Sequence, residues 1–200
     1  MNNTKIQLFV FLSMMYLSVI YCSGDQSRHR LYQQSDEAIA TISNQLVSQA
    51  IELVDSVVED LLVLDSKNPI ILGYLDRFDA FTAVNETKTE EKLNAFYDVV
   101  EDYLDSDTKG DPVELSSIES QLISLCLERN GFDRWKRTVQ TRTTQLNRVI
   151  YRKLKRHMDT LDNEDRLAVE RRWKRTLSRG GPPRLEKLRD FVQWLGKFTD

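Results

Sequence analysis

The longest helical pattern in the chain runs from Ser35 to Ser66, with no glycine or proline inside it. Ile39, Ile42, Leu46, Ala50, Leu53, Val57, Leu61 and Leu64 recur at steps of three and four, and Val47, Ile51, Val54, Val58 and Leu62 form a second stripe beside them. So wide an apolar surface needs cover on more than one side. The pattern predicts a central helix from Asp36 to about Leu64, with Ser35 or Asp36 capping its first turn. Asn68-Pro69 restarts the chain for a helix that buries Ile70, Ile71, Tyr74, Leu75, Phe78, Phe81 and Val84. Thr87 and Glu90 have capping-box spacing for a third helix, which presents Leu93, Phe96, Tyr97, Val100, Tyr103 and Leu104.

Asp111, Pro112 and Glu114 open a fourth helix with the stripe Leu115, Ile118, Leu122, Leu125 and Cys126, and Gly131 ends it in a left-handed conformation. Asp133 caps a second long helix, Arg134 to about Leu161, whose stripe is Trp135, Val139, Leu146, Val149, Ile150, Leu154, Met158 and Leu161. Asp162 or Asn163 starts a sixth through Leu167, Trp173 and Leu177, which Gly180-Gly181-Pro182-Pro183 stops. Leu185, Leu188, Phe191, Val192, Leu195 and Phe198 form the last amphipathic helix. No strand-like alternation competes. The fold class is all-α: a single helical bundle over residues 35–200, with two long helices and several shorter amphipathic ones.

The N-terminus reads differently. Lys5 precedes an apolar run from Ile6 to Tyr21, and Cys22, Ser23 and Gly24 supply small residues before Asp25. Residues 1–24 are expected to be a signal peptide cleaved after Gly24, the run being short for a membrane span of roughly 20 residues. The polar segment 25–34 then reads as a flexible leader. A secreted, extracellular chain with no stable membrane anchor follows, and Asn85-Glu86-Thr87 offers Asn85 as a glycan acceptor.

Cysteine usage narrows the class. Cys22 leaves with the signal and Cys126 alone remains, which excludes a disulfide scaffold. Cys126 has two readings, an apolar position on the fourth helix or an intermolecular disulfide, so the chain is a monomer or a Cys126-linked dimer.

The formal net charge of −3 conceals an asymmetry. Residues 25–128 carry 7 basic against 22 acidic side chains, and residues 129–200 carry 20 against 9. The acidic half 35–128 and the basic half 129–200 either attract each other or leave a basic surface for a glycosaminoglycan or another polyanion. Arg148, Arg152, Lys155 and Arg156 gather at helical spacing and are the candidate binding face. Glu52, Asp55 and Glu59 share a face of the central helix with no basic neighbour on that helix.

Catalytic signatures are missing from the sequence. It holds no Gly-x-Ser-x-Gly elbow, phosphate-cradling glycine loop or zinc-helix motif, and His29 and His157 are its only histidines, the second on a basic helix face. Asp105 to Asp111 imitates a calcium loop, but Lys109 stands where an EF-hand needs an oxygen ligand and Ser116 where it needs a bidentate Glu. Neither an enzyme nor a cofactor is expected. Arg172, Lys174 and Arg175 fit the Arg-any-Lys-Arg pattern of furin-like processing, which would release a tail from Thr176. In that tail Asp190 to Leu195 resembles the C-terminal half of glucagon-family peptide hormones over six residues and no further. The expected function is non-enzymatic: binding of an unidentified protein partner, receptor or polyanion, in the manner of a saliva, venom, effector or cytokine-like factor. The alternative is an extracellular carrier of a small apolar ligand, with Tyr74, Phe78, Phe81, Phe96 and Tyr97 lining its pocket.

Overall fold

The computed structural model describes residues 3–64, 68–83, 89–104, 117–178 and 183–197, with side chains from Arg28 onward in the first helix and from Arg184 in the last. Its elements in chain order are α1 (Asn3–Val63), α2 (Pro69–Ala83), α3 (Thr89–Val99), a 3-10 turn (Glu101–Tyr103), α4 (Ile118–Arg129), α5 (Phe132–Met158), α6 (Asn163–Thr176) and α7 (Pro183–Lys197). The fold is all-helical, with no strand among the described residues.

α1 packs against α2, α3, α4, α5 and α7, the outcome that its double stripe demands. Ile39, Leu46, Val47, Ala50, Leu53, Val54, Val57 and Leu61 are all buried. An aromatic cluster fills the space beside them. Phe96 of α3 meets the Trp135 ring of α5 edge-on at 4.8 Å and lies 5.2 Å from Phe81 of α2. The Trp135 indole N–H donates to the Leu46 carbonyl of α1 at 3.1 Å, so one side chain ties α5 to α1 by packing and by a hydrogen bond. α7 closes another side of α1 with Leu185, Leu188, Phe191, Val192 and Leu195 buried.

Helix starts follow the expected chemistry in two places. The Asn68 side chain accepts from the Ile70 N–H at 2.8 Å, with Pro69 in the first turn of α2, and Asp162 accepts from Asp165 N–H at 2.9 Å to cap α6. Gly131 has φ of 93°, the left-handed conformation that ends α4.

Elsewhere tertiary packing overrules the linear reading. The segment expected as a flexible leader is helical, because Leu31 is only 4% exposed and belongs to the core. Ser35 is accordingly a buried residue inside α1 rather than its cap. Asp133 does not cap α5: Gly131 holds that position, and Asp133 sits in the first turn in an ion pair with Lys136 at 3.0 Å. Glu90 was expected to close a capping box with Thr87; instead it is buried and paired with Arg189 of α7, and Thr87 lies outside the described residues. α4 starts at Ile118, where Ser117 accepts from Ser120 N–H at 3.1 Å, and the expected opening at Asp111 lies outside the described residues. Its buried side is Ile123 and Leu127, leaving Ile118 73% and Leu125 60% exposed. Ile70, Val149, Leu167 and Leu177 are likewise exposed, and α6 buries Val169, Trp173 and Thr176 instead. His157, expected on the basic face of α5, is buried.

Candidate functional site

The outer face of α5 is a consequence of its inner one. Phe132, Trp135, Val139, Thr143, Leu146, Ile150, Leu154 and Met158 turn one side of the helix inward. At 100° per residue, that leaves Arg134, Arg137, Arg148, Arg152, Lys155 and Arg156 on the other side, with Arg142 at its margin, and all of them are exposed. No Asp or Glu occurs between Arg134 and Met158, so α5 itself brings only positive charge to this face, while Glu52 of α1 lines a neighbouring groove together with Arg134. From Arg134 to Arg156 it is about 33 Å long at the helical rise of ~1.5 Å per residue.

Charge neutralisation between the halves takes place elsewhere. Arg189 of α7 pairs with Glu90 of α3 and lies 3.5 Å from Asp36 of α1, and Arg129 lies 3.8 Å from Asp60. Lys153 donates to the Gln34 side-chain oxygen at 2.7 Å. Among the described residues, Arg148, Arg152, Lys155 and Arg156 make no ion pair, and neither do Glu52, Asp55 and Glu59 on the exposed side of α1. Mutual attraction of the halves therefore engages a few residues at the α7 and α4 contacts and leaves the α5 face open.

Near the start of α5 the side chains of Arg134, Arg137, Thr138, Thr141, Arg142 and Gln145 form an open, shallow surface on the same helix. Guanidinium groups beside hydroxyl and amide donors suit sulfate, phosphate or carboxylate oxygens, which accept several hydrogen bonds at once. At the other end Tyr151, itself exposed, stacks on Trp173 of α6 with ring centroids 5.8 Å apart. That stack joins the α5 face to the cations of α6 and offers an apolar edge within a basic surface.

The remaining candidates are dispersed. Cys126 is half-buried on α4, and burial, followed by the Asp60 carboxylate, pushes its thiol pKa up against the opposing effect of Arg129. Arg172, Lys174 and Arg175 lie in the last turns of α6, interleaved with the buried Trp173 and followed by the buried Thr176, and the Arg172 guanidinium stands 4.8 Å from the Trp194 ring centre. Cutting after Arg175 requires these turns to unwind. Asn85 and the Asp105–Asp111 segment lie outside the described residues, as do the side chains of the expected signal peptide 1–24. Tyr74, Phe78, Phe81 and Phe96 are buried in contact with further rings, and Tyr97 packs beside Trp135 at 6.2 Å.

Hydrogen bonding among the described side chains gathers a second polar cluster that linear reading missed, around Arg189 where α1, α3 and α7 meet. Its members are scattered over the sequence, and only Glu90, too acidic for a buried position on an apolar stripe, carried a local sign of it. Among the described residues no helix is long and apolar enough to cross a membrane. No protein family, no curated protein and no solved structure matches this chain.

Proposed function

We propose that this chain is a secreted, non-enzymatic helical protein, a bundle organised around α1 and α5, that acts by binding a polyanionic macromolecule along the outer face of α5. The observation that carries this reading is the exposed, single-signed stripe Arg134, Arg137, Arg148, Arg152, Lys155 and Arg156, without an ion pair among the described residues. Cations arranged this way displace the counter-ions condensed on a docking polyanion, so the logarithm of the binding constant falls linearly with the logarithm of salt concentration. The secreted route rests on the leader pattern ending at Gly24, with Asn85 as its glycan acceptor. A half-buried Cys126 with a raised pKa favours the monomer over the disulfide-linked dimer.

Heparin chromatography tests the reading. The wild-type protein is expected to be retained at physiological ionic strength, and an Arg148→Ser/Arg152→Ser variant to elute at distinctly lower salt. Passage of the folded wild-type protein straight through the column, together with failure to bind RNA, would sink it.

A further inference from the structure

Tyr151 borders the cationic side of α5 with 46% of its surface exposed, and Arg148 and Lys155, one helical turn before and after it, are its neighbours on that helix. Its ring lies 19° from parallel with that of Trp173 on α6, and Trp173 meets Phe191 of α7 edge-on at 5.2 Å. Trp173 is only 5% exposed, so the core fixes the support on which Tyr151 rests. The stack occupies one face of the phenol ring. An aromatic side chain backed in this way has little rotamer freedom left to lose when a ligand covers its other face.

The acids on these two helices stand at the margins of the ring pair. Asp159 follows the last turn of α5, and Glu170, the acid nearest Trp173 on α6, lies 3.9 Å from Arg166 in an ion pair. The result is a supported aromatic ring set among cations that make no ion pair among the described residues. A sulfated glycan would use the cations but carries no aromatic ring to lie on the phenol. An anionic lipid surface would bury an apolar side chain of any shape there. Single-stranded nucleic acid uses both features, because its phosphates meet the cations and its unpaired bases present flat faces that stack on aromatic side chains.

We propose that the α5 face binds single-stranded nucleic acid, with Arg148, Arg152 and Lys155 serving its phosphates and a base stacked on the outward face of Tyr151. This rests on the polyanion reading of the same face and adds which polyanion it takes and which residue selects it. Every base has a flat face, so the selection is for unpaired strands rather than for a sequence. Fluorescence anisotropy of the full chain tests it with labelled strands of about 12 nucleotides: oligouridylate, oligothymidylate, and an abasic strand that keeps the phosphates and lacks the bases. Both base-bearing strands are expected to bind about tenfold more tightly than the abasic strand at equal salt. Tighter binding of one of the two names RNA or DNA as the source. Tyr151→Leu keeps an apolar side chain and removes the flat ring, so it is expected to bring the base-bearing strands to the abasic level. Tyr151→Phe is expected to preserve the difference, and both variants to leave heparin at the same salt concentration as the wild type. Equal binding of base-bearing and abasic strands by the wild type, or a difference that survives in Tyr151→Leu, overturns the proposal. If heparin is still retained in that case, the polyanion reading stands and the face is a purely electrostatic site of the kind a sulfated glycan fits. A folded wild type that binds neither heparin nor any strand removes both.

Discussion

Trp135 shows how much one residue carries in this fold. Its ring meets Phe96 edge-on and stacks on Phe132, with centroids 6.1 Å apart, while its N–H serves a carbonyl of α1. Trp135→Phe keeps most of the apolar volume and loses the donor, so it is expected to lower unfolding stability by about 1–3 kcal/mol in urea titrations. Trp135→Ala is expected to cost about 3–5 kcal/mol. Tyr74 and Tyr103 give the residue scale a pH signature. Burial is the first cause of the raised pKa of both phenols, and the Asp102 carboxylate that accepts the Tyr74 hydroxyl raises that of Tyr74 further. Both groups hold their protons more tightly folded than unfolded. Their contribution is therefore complete below the unfolded value of ~10 and is lost as pH rises towards the folded values. Stability measured between pH 9 and 11.5 is expected to fall, and Tyr103→Phe to flatten that fall. The same logic makes Cys126 slow: its raised pKa leaves less thiolate near neutral pH, so iodoacetamide alkylation is expected to lag behind that of free cysteine and to catch up on unfolding.

At the scale of elements, α1 sets the sharpest test. Residues 28–34 look polar in sequence, yet they continue the helix and place Leu31 and Ser35 in its buried face, with Tyr32 against α7. Leu31→Ala is expected to destabilise the protein by about 2–5 kcal/mol, as burial of a leucine requires. A flexible leader would show no effect, so urea midpoints decide between the two. Gly196→Ala drives a methyl group into the Tyr32 ring and is expected to cost about 1–3 kcal/mol. Helix positions were legible wherever a cap or breaker stood beside a long stripe, as with Asn68-Pro69, Gly131 and Asp162. They were less legible in α4, where Ile118, Leu122, Ile123, Leu125, Cys126 and Leu127 place apolar residues on several sides of a short helix. Periodicity alone cannot choose the inward side there. Contact with α1, α2 and α5 chose Ile123 and Leu127.

Across the whole molecule, the charge division of the sequence becomes two kinds of surface. The α7 and α4 contacts bring opposite charges together, while the α5 face and the outer side of α1 keep theirs exposed to solvent. Exposed pairs and isolated surface charges contribute at most about 1 kcal/mol each, so the basic face is not a stabilising device. Replacing Arg148 and Arg152 with serine is expected to leave the melting temperature nearly unchanged while weakening heparin binding, a separation that calorimetry and chromatography on the same variant check. The basic candidate face could be read in advance because it lies on one helix, where spacing translates directly into direction. The polar cluster around Arg189 could not, because Tyr32, Glu90 and Glu186 come from three helices far apart in the chain.

By itself the sequence determined the all-helical class, the dominance of the stripe in α1, most of the inward side of α5 and therefore the outward direction of its cations. Each follows from local periodicity, which needs no knowledge of neighbours. Tertiary structure alone decided which side of α4 and α6 turns inward, that residues 28–34 join the core, and which acidic residues meet a guanidinium. Those outcomes depend on burial against distant segments. A short apolar pattern or a single charge is compatible with several such arrangements until packing selects one.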